Sequence, residues 1–311
     1  MRNVTFSVLD TGRPEETVKL AHHIEAIGYD RIWVTEHHTD IQSACPSIMA
    51  AAVLTSTKRL SVTVGGVLAR IHSPFVIAEQ LKLLAKLFGS RIQFGVAGTL
   101  PDSHILDGIG ESFAVSPEEY RQRLLQLRDF ALSTPSFESS DNDVANSRQR
   151  SKDLAQPNAT PTVGPSGSEP ASFCVCGTSE GSATFTAELE FPFAFHDFLS
   201  PQERKEDRLA VCRKYRAAGG DKLSVAVSGL CAASTSEAEQ LWEEINQGRH
   251  TRRPSFLGTV EAAAAQVATI ARETTADEIV VQPLSLDLET RVATLDDLYK
   301  PLRVQLAQQK R

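Results

Sequence analysis

Three short stretches carry the residue types that could do chemistry. The first is Thr35-Glu36-His37-His38, a carboxylate and two imidazoles closing the apolar run Arg31 to Thr35. Imidazoles and carboxylates move protons near neutral pH, and they also ligate metals. Adjacent residues of an extended strand point to opposite faces, so a metal held by both His37 and His38 is not expected. The alternative for either histidine is a hydrogen-bonded packing role beneath the strand's mouth.

The second stretch is Thr63-Val64-Gly65-Gly66-Val67-Leu68. Paired glycines weaken a Val-rich strand, so Gly65 and Gly66 imply a bulge, unusual backbone geometry or close approach of a flat ligand. Close helix packing is the competing explanation. The third is Gly177-Thr178-Ser179-Glu180-Gly181-Ser182-Ala183, where a strand gives way to a helix. Hydroxyls and free N–H groups at a helix start cradle a phosphate. A plain Ser/Thr N-cap accounts for one of those hydroxyls.

These stretches need a scaffold, and the chain repeats strand and helix. Val4 to Leu9 alternates like a strand, and Pro14 opens a helix that Gly28 closes. Arg31 to Thr35, Leu60 to Leu68 and Ile92 to Ala97 read as strands, with helices over Pro46 to Thr57, from Pro74 onward, and over Pro117 to Leu132. The helix from Pro74 carries an apolar stripe of Val76, Ile77, Leu81, Leu84 and Leu87. Residues 133–170, rich in Ser, Asn, Asp, Thr and Pro, form a polar excursion: a lid or an inert surface loop. Strands then resume at Phe173 to Gly177, Phe193 to Phe195, Leu223 to Cys231 and Glu278 to Val281. The helices between and after them run Ser179 to Glu190, Glu203 to Ala217, Ser236 to Gln247, Thr259 to Glu273 and Glu289 to about Leu306. Eight strands with interleaved helices favour a single-domain α/β (β/α)8 TIM barrel over 1–311, with an open doubly wound sheet as the alternative. In such a barrel the active site lies at the carboxyl ends of the strands. All three stretches fall there.

Composition narrows the function. The chain has 311 residues, 41% of them hydrophobic, with 32 Lys and Arg against 39 Asp and Glu for a net charge of −7. A mildly acidic protein lacks the basic face that nucleic acid requires. The opening MRNVTFSVLD turns polar at once, and the most apolar window, Ile48 to Leu54, is far short of a membrane span. A soluble, cytoplasmic chain is expected. Five cysteines without a CxxC pair argue against a disulfide framework or structural zinc. Cys174 and Cys176, two apart on one strand, share a face and read as small buried hydrophobes or as a redox pair.

Taken in order, SVLD, YDRIWVTEHH, VGGVL, HSPFVIAEQ and RIQFGV resemble the bacterial luciferase-like flavin monooxygenases. FCVCGTSEGSATFTAELEFPFAF, FLGTVEAAAAQVATI and ADEIVVQP continue the resemblance over most of the chain outside 133–170 and about 240–255. The resemblance implies a barrel that binds reduced FMN supplied by a separate flavin reductase. There the flavin and O₂ form a C4a-(hydro)peroxide that oxygenates a small organic substrate, such as an aldehyde, ketone or secondary metabolite. It makes His37 the active-site histidine, with Glu36 beside it. It implies a cis peptide facing the flavin at Gly65-Gly66, a phosphate held by Thr178, Ser179 and Ser182, and a homodimer.

Two positions depart from the family pattern. Gly98 stands where the family commonly has a phosphate-pairing Arg; losing a charge-assisted contact costs about 1.5–3 kcal/mol, roughly tenfold to 150-fold in affinity. Arg70, at the mouth of the third strand, is a candidate to compensate. Glu190 replaces a common helix-ending Gly, an effect expected only on the cap. Related barrels leave two alternatives: an oxidoreductase that transfers hydride with the deazaflavin F420, and a flavin-binding barrel without turnover. Substrate choice would rest on loops 99–116, 133–170 and 247–256.

Overall fold

The computed structural model describes residues 4–38, 44–109, 115–133, 163–164, 172–200, 205–246, 254–285 and 287–307. Most of the expected polar excursion and residues 247–253 of the loop 247–256 lie outside these residues. Nine parallel strands are hydrogen-bonded into one sheet, and eight of them close a ring. The ring runs β1 (Thr5–Asp10), β2 (Arg31–Val34), β3 (Ser61–Leu68), β4 (Ile92–Ala97), β5 (Phe173–Gly177), β6 (Phe193–His196), β7 (Leu223–Cys231) and β9 (Glu278–Pro283), which pairs back to β1. The fold is a (β/α)8 barrel.

The ninth strand, β8 (Phe256–Gly258), adds to the carboxyl end of β7 and was not expected from the sequence. Its approach explains Gly229, because a Cβ there would come within 2.0 Å of the Phe256 carbonyl oxygen. The helices described are α1 (Pro14–Ile27), α2 (Pro46–Ser56), α3 (Pro74–Phe88), α4 (Ser103–Ile109), α5 (Pro117–Leu132), α6 (Glu180–Glu188), α7 (Lys205–Ala217), α8 (Thr235–Asn246), α9 (Val260–Thr274) and α10 (Leu288–Ala307). Among the described residues, no helix is long and apolar enough to cross a membrane.

Strand alternation sorts the core into two layers. Outward residues such as Val8, Ile32, Val62, Phe94 and Ile279 pack under the helices. Inward residues Leu9, Trp33, Cys174, Cys176, Ala194, Ala226 and Val280 fill the barrel. One carboxylate ties the ring together: Glu278 accepts from Ser7 on β1, from Trp33 Nε1 on β2 at 3.2 Å and from Ser224 Oγ on β7 at 2.6 Å.

Local signals behave as their chemistry dictates. Pro14 begins α1 with Glu15 and Glu16 in its first turn, and Gly28 ends it at φ 111°. On α3 only Ile77, Leu81 and Leu84 of the apolar stripe are buried; Val76 and Leu87 are exposed. Lys82 on the same helix is buried and gives its ammonium to the carbonyl and hydroxyl of Ser133 and the carbonyl of Val163. It thus pins the described ends of the excursion. After α6, Glu190 adopts the left-handed conformation of the glycine it replaces, at φ 58°.

Candidate active site

The site is built where β2 ends. The strand stops at Val34, one residue short of expectation, so His37 and His38 both lie beyond the pleat. Alternation therefore does not separate them, and both line one cavity. Glu36 is 5% exposed and organises this turn. Its Oε2 accepts the Leu68 N–H at 2.9 Å; its Oε1 accepts His72 Nε2 at 2.7 Å and His38 Nε2 at 2.9 Å. Burial alone would raise the Glu36 carboxyl, but the His72 hydrogen bond and charge, the Leu68 N–H and His38 bring it below its ordinary range.

His37 is half-buried, with Nδ1 paired to Thr35 Oγ1 at 2.9 Å. That leaves Nε2 as the nitrogen available to a bound molecule. Burial lowers the His37 pKa, opposed by the nearby Glu36 charge, so the ring is neutral at pH 7. A neutral imidazole facing a cavity can accept or return a proton. His72 escaped the sequence reading; its only signal was its place before Ser73-Pro74, at the mouth of β3.

The cavity floor is made by glycine. The Gly65-Gly66 peptide is cis, and the register with β4 shifts between Gly65 and Val67. A Cβ on Gly65 would lie 2.7 Å from the Trp33 ring, and one on Gly66 would lie 3.0 Å from Ala97 Cβ and 3.3 Å from Cys176 Sγ. These neighbours are strand residues of the barrel, not helices. The glycines thus answer to close approach at the floor rather than to helix packing.

The third stretch divides. Ser179 caps α6: its Oγ accepts the Ser182 N–H at 3.2 Å, and Ser182 Oγ accepts the Ser179 N–H at 3.2 Å. Ser182 Oγ also donates to the Ser179 carbonyl at 2.7 Å. This reciprocal capping box occupies both serines. Gly177 and Thr178 form the cavity wall, so Thr178 is the hydroxyl of this stretch that lines the cavity.

At the Gly98 departure the space is filled. The Tyr120 ring packs on Gly98, and its buried hydroxyl has no partner among the described residues. Arg70 donates from Nε to the Val115 carbonyl at 2.7 Å and does not line the cavity. Its Nη1 lies 3.5 Å from the Gly98 carbonyl, so the guanidinium is directed at backbone.

The cavity measures about 640 Å³, within the range of small-molecule sites. Thr35, Glu36, His37, His38, Gly65 and Gly66 share it with Thr178. Leu9, Ile105, Phe198, Trp242 and Leu284 add apolar wall, and Cys176 and His196 reach it from β5 and β6.

Comparison with known proteins gives these features a setting. The family described as luciferase-like monooxygenase matches residues 3–297. An N-acetyl-S-alkylcysteine monooxygenase of Bacillus subtilis is 26% identical over 293 residues, covering 91% of this chain and 81% of that protein. Among solved structures, apo-MsnO8 superposes with a TM-score of 0.77 at 22% identity, covering 98% of this chain and 99% of that one. The oxygenating constituent of 3,6-diketocamphane monooxygenase from Pseudomonas putida, in complex with FMN, gives 0.68 at 15%, covering 98% and 99%. An F420-dependent secondary alcohol dehydrogenase gives 0.64 at 12%, covering 96% and 99%. At these identities the structural matches speak for the fold.

Proposed function

Because the chain belongs to the luciferase-like monooxygenase family, we propose that it uses reduced FMN and O₂ to oxygenate a small organic substrate in the mouth cavity. The observation that carries this reading is the meeting of His37 and the Gly65-Gly66 floor in one cavity at the strands' carboxyl ends. The lining by Leu9, Gly65, Gly66, Leu68 and Ala97 offers a flat ring a mostly apolar surface. Thr178 and the N-terminus of α6 would hold the phosphate end. Bound reduced FMN would supply the electrons that activate O₂. A separate flavin reductase would provide it.

The chain's own residues then have distinct tasks. His37 holds or accepts a proton at Nε2, its orientation fixed by Thr35. Glu36 fixes His38 and His72 and, through the Leu68 N–H, the end of β3. The apolar wall excludes water from the reacting atoms.

The test combines purified protein, FMN, NADH, a flavin reductase and ¹⁸O₂ with carbonyl, aromatic and thioether compounds. The expected product carries one ¹⁸O atom, and His37→Ala abolishes it while retaining FMN binding. Oxygen-independent reduction of F420 by a substrate would replace this reading with hydride transfer. Failure to bind FMN, oxidised or reduced, at about 50 μM would overturn it outright.

A further inference from the structure

Cys174 and Cys176 are two residues apart on β5 and both point into the barrel. Cys176 reaches the cavity floor at 8% exposure, and Cys174 lies one layer deeper at 2%. The register pairs Cys176 with Ala194, which places His196 two residues farther along β6 on the same face. Aromatic contacts hold the His196 ring: Trp33 stands edge-on at 6.2 Å and Phe198 tilts against it at 5.7 Å. The residue is 7% exposed, lines the cavity, and its buried Nε2 has no hydrogen-bond partner among the described residues. A buried imidazole nitrogen without a partner is costly unless something else uses it.

This is a thiol pair with an adjacent imidazole, not an isolated cysteine. The Cys174 thiol, and after it the His196 ring, draw the Cys176 pKa down against burial. The neighbouring Cys176 thiol, and after it burial, push Cys174 the other way, so Cys176 is the nucleophile of the pair. Among the described residues, Cys176 is reached from the cavity, which suits a small reactant.

We propose that Cys176 is an oxidation site for hydrogen peroxide, which enters through the mouth cavity and converts the thiolate to a sulfenic acid. The sulfur attacks one peroxide oxygen; an S–O bond forms and the O–O bond breaks. The thiol's own proton, passed to the His196 ring as the thiolate forms, goes to the leaving hydroxide, which departs as water. Sulfur loses two electrons and peroxide gains them. The added oxygen would stand beside Gly66, where a Cβ would lie 3.3 Å from Cys176 Sγ. Oxidation therefore obstructs the floor. The proposal does not rest on the FMN reading, since peroxide is the only co-reactant.

The experiment treats the purified full chain, without flavin, with hydrogen peroxide and dimedone and follows each cysteine by peptide mass spectrometry. Cys45, which is exposed, is the internal comparison. Cys176 is expected to label about tenfold faster than Cys45, because the thiolate is the reacting form. A Cys174–Cys176 disulfide, which requires the same sulfenic acid, supports the proposal equally. His196→Gln should bring the Cys176 rate down towards that of Cys45 without changing Cys45. Labelling of Cys45 at an equal or greater rate in the unaltered protein overturns the proposal, whatever the variant does.

Discussion

The Tyr120 ring lies against Gly98 so closely that a Cβ on the glycine would come within 2.9 Å of Tyr120 Cε1. Gly98, at the mouth of β4, is thus half of a pair, because a ring from α5 takes the space a side chain would need. Gly98→Ala is expected to destabilise by about 1–3 kcal/mol through overpacking. Tyr120→Ala destabilises separately by emptying the space. The double variant should fall short of the sum by about 0.5–3 kcal/mol, measured by urea unfolding. Strict additivity would show that the ring and the glycine are not coupled. Gly98→Arg alone should not tighten FMN binding, since the ring stands in its way.

His37 and Glu36 make the fold sensitive to acid. The folded His37 has a pKa below its ordinary 6.5, so below that pH the unfolded chain binds the proton more readily. Stability therefore falls as pH drops through about 6.5. The Glu36 pKa is held below its ordinary 4.5, so its contribution is complete above that value and is lost as pH falls through its lower folded pKa. The two losses follow in sequence. Urea midpoints measured from pH 8 to pH 4 should show the first decline in the native chain and less of it in His37→Gln. Identical profiles for the two proteins would remove His37 from the account.

The barrel was legible because strand–helix alternation and Gly or Pro punctuation are local. Two failures show the limits of local reading. The stripe on α3 included Val76 and Leu87, yet only Ile77, Leu81 and Leu84 share the inward face at helical spacing. β8 is three residues long, too short for any periodicity, and Gly229 was its only trace. Glu36 and His37 were legible because a polar cluster ended an apolar run. His72, Tyr120 and His196 were not, because their roles depend on which strand ends and helices meet. Glu36 and His72 are 36 residues apart, and the pairing of β2 with β3 brings them to 2.7 Å.

Thr178 lines the cavity wall, whereas Ser179 caps the helix. Ser179 belongs to the capping box, so Ser179→Ala should cost about 0.5–2 kcal/mol of stability whether or not a phosphate binds. Thr178 lines the cavity and takes no part in that box. Thr178→Val should leave thermal unfolding nearly unchanged and weaken FMN binding about threefold to tenfold, the scale of one hydrogen bond. Calorimetric titration and a melting curve on each variant check the pair. The reverse pattern, a stability loss at Thr178 and an affinity loss only at Ser179, would exchange their assignments.

Glu190 offers a stabilising change. α6 ends in a paired motif: Phe191 N–H donates to the Thr186 carbonyl at 3.0 Å and Glu190 N–H to the Ala187 carbonyl at 2.9 Å. This is the Schellman arrangement, whose left-handed position favours glycine. Here an exposed glutamate occupies it at φ 58°, at a cost of about 1–2 kcal/mol for a residue bearing a Cβ. Glu190→Gly removes that cost and returns part of it through the greater freedom of the unfolded chain. A net gain of about 0.5–1 kcal/mol, or ~2 °C in Tm, is expected. Glu190→Ala keeps the Cβ and should gain nothing, which separates backbone relief from loss of the carboxylate. Equal gains in both variants would assign the effect to charge and leave the cap without a part in it.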